Sequence, residues 1–140
     1  MGNSPLQRKA GERGFTLVEL LTVVSIVGIL SAIAIPQFSE YRARAYDARA
    51  ESDLRNLVSS EEAYYSIHEA YAACRDARCE SPGLPGFERS DGVAISSTLL
   101  EGGAGFSATS QHSKGTKVYN YSSINGKIVP SDPSSGSSVG

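Results

Sequence analysis

An α+β fold is predicted for this chain of 140 residues, a long N-terminal helix followed by a small antiparallel sheet. Three observations predict it. Residues 14–35 form one apolar stretch, apolar and small residues then recur at helical spacing as far as Tyr71, and beyond Ala73 short strand-like segments alternate with turn residues. The length allows one modest domain beyond the apolar stretch, with no room for a large enzyme core.

The apolar stretch, from Gly14 to Ile35, is long enough to cross a bilayer and is interrupted by one acid, Glu19. An acidic side chain at the centre of a spanning helix costs roughly 2.5–3.5 kcal/mol, so Glu19 needs a partner or a function. The plain alternative is a glutamate near the membrane surface that snorkels to the headgroups. Pro36 removes a backbone donor and crowds the preceding turn, which predicts a kink or local melting near Ala32 to Pro36, and Gly28 is a second weak point.

Beyond Pro36, Tyr46, Ala50, Leu54, Leu57, Val58, Tyr64, Tyr65 and Tyr71 fall mostly three or four apart, so the helix continues with an amphipathic second half. Glu51 and Arg55 support it in the favourable i, i+4 order. Phe38, Tyr41 and Tyr46 lie just past the proline, and aromatic residues at this spacing fill a core or an interface.

After Ala73, Cys74 and Cys79 flank Arg75-Asp76-Ala77-Arg78 ahead of a turn-rich run to Gly86. Two cysteines so close in an exported protein most simply form a local disulfide, worth about 2 kcal/mol, with free thiols the outcome if the geometry is poor. A zinc site would need His68 or His112 to join them, and the spacing matches no zinc pattern. Strands are expected at Gly92–Leu100, Gly105–Ser113 and Thr116–Ser123, with Gly126–Val129 a fourth across the Asn125-Gly126 turn. Lys114-Gly115 marks a hairpin tip, and connections this short demand antiparallel pairing. Pro130 to Gly140 is rich in Ser, Gly and Pro, has little to bury and reads as a flexible tail.

Charge and motifs exclude several functions. The net charge is −2, and without the first 14 residues, which hold Arg8, Lys9 and Arg13 against Glu12, it is −4, so composition indicates no nucleic-acid partner. His68 and His112 stand beside polar neighbours that read as solvated surface, and Gly102-Gly103-Ala104-Gly105 lacks the strand and helix that a phosphate-binding loop requires. The chain reads as non-enzymatic, with no cofactor and no metal.

A basic start before an apolar run has three readings. It is a secretory signal cut after Ala32-Ile33-Ala34, a retained anchor, or a leader cut between Gly14 and Phe15 that leaves the apolar helix in the mature protein. The residues Arg13-Gly14-Phe15-Thr16-Leu17-Val18-Glu19 resemble the processing site of type IV pilins and pseudopilins, and the match continues to Pro36-Gln37-Phe38, to Tyr41–Tyr46 and to Ser52–Leu57. The resemblance implies cleavage after Gly14 by a membrane-bound prepilin peptidase, N-methylation of Phe15 by the same peptidase/methyltransferase, and attraction of a neighbouring subunit's N-terminal amine by Glu19 during filament assembly. It also implies that the second half of the helix packs on the small sheet as a lollipop-shaped pilin.

The resulting organisation is a leader over 1–14, a transmembrane and filament-core helix over 15–35, an amphipathic helix over 36–73, a loop and antiparallel sheet over 74–129 and a tail over 130–140. The expected function is a structural subunit of an extracellular type IV pilus. It would wait as a single-pass protein in the inner membrane and polymerise with identical or related pilins on the pilus assembly platform. One alternative is a pseudopilin of a type II secretion system in a periplasmic filament; it is less favoured because no acidic calcium-binding loop of the kind known in major pseudopilins surrounds Asp132. A different class is a secreted soluble binding protein released after Ala34.

Overall fold

The computed structural model describes residues 14–80 and 83–133 of the chain. Residues 1–13 of the expected leader, the Ser81-Pro82 step and the end of the tail over 134–140 lie outside the described residues. One helix, α1 (Leu17–His68), is followed by β1 (Cys74–Arg75), β2 (Val93–Leu99), β3 (Phe106–His112), β4 (Val118–Ser122) and β5 (Lys127–Ser131). The chain divides into two compact units, Met1–Phe38 and Ser39–Gly140.

The described part of the first unit is the apolar start of α1. Its large side chains from Leu17 to Ile35 are all exposed, and the helix runs unbroken through Gly28 and Pro36. The local melting expected near Ala32 to Pro36 is not seen. Backbone donors of the neighbouring residues keep the helix closed where proline leaves one acceptor unanswered.

The second unit places Ser39–His68 of α1 against a five-stranded meander in the order β1-β2-β3-β4-β5, antiparallel throughout. Ala50, Leu54 and Leu57, at spacings of four and three, lie on one helix face and meet Phe106, Val93 and Ile95 in the core. Strand alternation does the rest. Val93, Ile95 and Ser97 on β2 and Phe106, Ala108, Ser110 and His112 on β3 are buried, while their neighbours Ser96 and Thr109 pair on the outer face by a 2.9 Å hydroxyl contact.

Three buried carboxylates on α1 fasten three connections. Asp47 accepts the backbone N–H of Thr116 at 2.7 Å and of Lys117 at 3.0 Å, and the Thr116 hydroxyl at 2.8 Å. Asp53 accepts the N–H and hydroxyl of Ser90 at 2.8 and 2.9 Å, and Glu61 accepts the N–H of Ala72 at 2.9 Å. All three acids are at most 4% exposed. Asp47 and Asp53 each use both carboxylate oxygens in this way, whereas Glu61 binds through Oε2 alone, and in all three the acid supplies an acceptor to a loop that has no ladder to bond to.

These bonds explain where the observed elements depart from expectation. The helix ends at His68 and not at Ala73, because Glu69 turns left-handed (φ 54°), its N–H closes on the Tyr65 carbonyl at 2.8 Å, and Glu61 draws the Ala72 N–H outside the helix. The two residues of β1, expected to open the loop after the helix, instead pair with Ser97 and Ser96. β4 starts at Val118 and not Thr116, since Asp47 takes the donors of Thr116 and Lys117. At the far edge β5 continues through Pro130 to Ser131, two residues into the expected tail; an edge strand tolerates a proline that donates nothing. The Asn125-Gly126 turn is present, with Gly126 at φ 61° and its N–H on the Ser122 carbonyl at 2.9 Å.

Candidate functional site

The residues expected to carry processing and assembly, Gly14, Phe15 and Glu19, fall together at the start of α1. Gly14, Phe15 and Thr16 precede the helix in irregular backbone, and the Phe15 ring is 82% exposed. A Cβ placed on Gly14 would meet nothing within 4 Å, so the chain itself makes no demand for glycine there. The same holds at Gly28.

Glu19 sits in a reciprocal cap. Its Oε2 accepts the Thr16 backbone N–H and the Thr16 hydroxyl, each at 2.8 Å, while the Glu19 N–H donates to Thr16 Oγ1 at 3.2 Å. This is a capping box, in which a threonine and a glutamate three residues later satisfy each other's free backbone donors at a helix start. The spacing Thr16-Leu17-Val18-Glu19 carries the sequence signature of this cap, which was not among the sequence expectations. The cap does not exhaust the carboxylate: among the described residues both contacts on the acid land on Oε2, and the large apolar side chains next to Glu19 in the sequence, Leu17, Val18, Leu20 and Leu21, are exposed. Further along, Thr22 and Ser25 return their hydroxyls to the carbonyls of Glu19 and Leu21 at 2.9 and 2.8 Å, so these two polar side chains are satisfied within the apolar run. The helix meets the length and composition of a membrane span.

Cys74 and Cys79 form a disulfide with Cα atoms 4.9 Å apart, closing the 3₁₀ turn Asp76–Arg78. The two histidines lie elsewhere. His68 stacks on Tyr64 at 4.0 Å between ring centroids and His112 on Tyr46 at 4.3 Å. His112 is buried, not the solvated surface group that its neighbours suggested, because strand alternation turns it inward. Among the described residues no group of three or more His, Cys, Asp or Glu is placed to hold a metal ion. Of the three aromatics after the proline, Tyr46 packs in the second unit, whereas Phe38 and Tyr41 are exposed in the single chain.

Residues 9–35 match the prokaryotic N-terminal methylation motif. The chain is similar to the type IV major pilin protein PilA of Myxococcus xanthus, 43% identical over 60 residues that cover 43% of this chain and 27% of the relative. It is 51% identical over 51 residues to a fimbrial protein of Pseudomonas aeruginosa, covering 36% of this chain and 33% of the relative. A fimbrial protein of Neisseria meningitidis is 36% identical over 88 residues, covering 63% of this chain and 44% of the relative. The chain thus spans less than half the length of each of these relatives.

Proposed function

We propose that this chain is a member of the type IV pilin family and a structural subunit of an extracellular type IV pilus, a reading supported by the methylation motif over residues 9–35 and the similarity to pilins and fimbrial proteins. The observation that carries this reading is an apolar helical run, Leu17 to Phe38, with every large side chain exposed and with Glu19 beside an accessible Gly14-Phe15 step. Such a surface has two dry destinations, a bilayer before assembly and the helices of neighbouring subunits after it.

Processing connects the two. A prepilin peptidase/methyltransferase cuts between Gly14 and Phe15, methylates the new amine and leaves the helix in the inner membrane. Because Gly14 is sterically open in this chain, the demand for glycine there comes from the peptidase. The Phe15 ammonium of one subunit then pairs with Glu19 of its neighbour. At an effective dielectric near 20, two charges about 4 Å apart attract by about 4 kcal/mol before desolvation is subtracted, enough to set register. Burial, at roughly 25 cal/mol per Å² of apolar surface relative to water, keeps the helix dry in both places, and packing between helices favours the filament over the bilayer. The second carboxylate oxygen allows Glu19 to keep its Thr16 cap while it receives that ammonium. Gly28 and Pro36 are where the helix yields as it moves between the two environments, because proline leaves the Ala32 carbonyl without its helical donor and Gly28 has no side chain to resist.

Intact-mass analysis of the mature protein from native cells tests the reading. Methylated Phe15 at the N-terminus is the expected result. A chain starting at Ile35 would discard the filament and make this a soluble exported domain.

A further inference from the structure

Around Tyr46, three cations converge without a carboxylate to answer them. Arg42 donates from Nη2 to the Tyr46 hydroxyl at 3.4 Å, while the Arg49 Cζ and the Lys114 Nζ stand 5.7 and 5.8 Å from the centre of its ring. Arg42, Tyr46 and Arg49 share one helix face by their spacing of four and three. Lys114 arrives from the β3–β4 turn, where its N–H donates to His112 Nδ1 at 3.0 Å and the His112 ring stacks on Tyr46.

The nearby acids are already engaged. Asp47 holds Thr116 and Lys117, Glu40 pairs with Arg44 at 2.8 Å, and Glu51 pairs with Arg55 at 2.5 Å. Among the described residues, none of Arg42, Arg49 and Lys114 makes an ion pair. The phenol registers the excess of positive charge. Its pKa is pulled below that of an ordinary tyrosine, first by the Arg42 hydrogen bond and further by the charges of Arg42, Lys114 and Arg49, against the opposing effect of burial.

We propose that Arg42, Arg49 and Lys114, gathered on the Tyr46–His112 stack, bind the phosphate of an anionic phospholipid headgroup while the subunit waits in the membrane. This rests on the membrane-spanning reading of residues 15–35. Arg42 follows Ile35 by only seven residues in the sequence, and a long basic side chain this near the end of an apolar run extends along its stem to place its charge among the headgroups. The net charge of −2 disfavours a long polyanion, which would meet the acids elsewhere on the surface, whereas one headgroup needs only the local cluster.

The test uses the full chain reconstituted into vesicles of phosphatidylcholine, alone or mixed with phosphatidylglycerol, followed by mild extraction and quantification of the lipid that stays bound. Wild-type protein should retain phosphatidylglycerol above its bulk proportion. Each basic residue near an anionic surface contributes about fivefold, so the triple variant Arg42→Gln/Arg49→Gln/Lys114→Gln should lose at least about tenfold of that preference after screening. Removing the same charge elsewhere, in Arg44→Gln/Arg55→Gln/Lys127→Gln, should leave it intact, and so should Arg42→Lys/Arg49→Lys. An equal loss in the displaced-charge variant would overturn the site in favour of diffuse attraction. Release of the lipid by inorganic phosphate at constant ionic strength would assign the cluster to soluble phosphate instead. Protein that enters both kinds of vesicle without preference would refute the cluster alone, while protein that enters neither would refute the membrane reading together with it.

Discussion

The two halves of α1 place acids in opposite circumstances. Among the described residues the Glu19 carboxylate, in the half before Phe38, bonds to Thr16 three residues away and stands among exposed apolar side chains, whereas Asp47, Asp53 and Glu61, in the half after it, are buried and hold residues 37 to 70 positions distant, or 11 in the case of Glu61. One helix therefore shows both uses of a carboxylate in apolar surroundings. Where the chain supplies its own backbone donors, the acid becomes a fastener. Where it supplies none beyond the local cap, the acid stays at the surface among exposed apolar side chains, the arrangement on which the proposed pairing with a neighbouring subunit rests.

Breaking the first half should have the largest effect and leave the second untouched. Glu19→Ala is expected to reduce sheared-filament yield by at least about tenfold, the worth of roughly 1.4 kcal/mol in assembly, while the unfolding midpoint of the sheet unit stays at its wild-type value. Normal filament yield would remove the pairing with the Phe15 amine. The converse variant is Asp47→Ala, which strands two backbone donors, on Thr116 and Lys117, in a part-buried loop. Urea unfolding in detergent should show a loss of about 2–3 kcal/mol, and hydrogen exchange should rise first at residues 114–117. A variant as stable as wild type would show that the fastener is ornamental.

Glu61 sharpens the comparison by pH. Burial pushes its carboxyl above the usual carboxylate range, with the Ser97 hydroxyl and the Ala72 N–H pulling back and Glu62 adding to the rise. A raised native pKa means that the folded protein holds this proton more tightly than the unfolded chain, so stability attributable to Glu61 is greatest in acid and declines as pH rises from the unfolded value of 4.5 through the native one. Glu61→Gln should flatten that decline while keeping the Ala72 bond through its amide oxygen. An unchanged stability profile from pH 4 to 8 would place the titration elsewhere. The smallest effect belongs to the helix end, where Glu69→Gly relieves a left-handed backbone and should raise stability by about 0.5 kcal/mol in the same unfolding experiment.

Much of this molecule was legible in its residues because the signals were local. The apolar run with Glu19, the amphipathic spacing after Pro36, the hairpin tips at Lys114-Gly115 and Asn125-Gly126 and the closeness of Cys74 to Cys79 all lie within a few positions of one another, and local propensity and periodicity decide such features. The ends of the elements were not legible in this way. Helix termination at His68, the late start of β4 and the strand character of Cys74-Arg75 follow from bonds to Glu61, Asp47 and Ser96, partners far away in sequence. Side-chain competition for backbone donors across the fold set these boundaries. The gathering of Arg42, Arg49 and Lys114 on Tyr46 belongs to the same class, since no periodicity relates residue 114 to the helix. Chain-local chemistry established that this protein has a long helix whose apolar first half carries one acid, and a small sheet. Long-range hydrogen bonds established where each element stops and which charges meet, because a buried polar group must find its partner wherever the fold brings one.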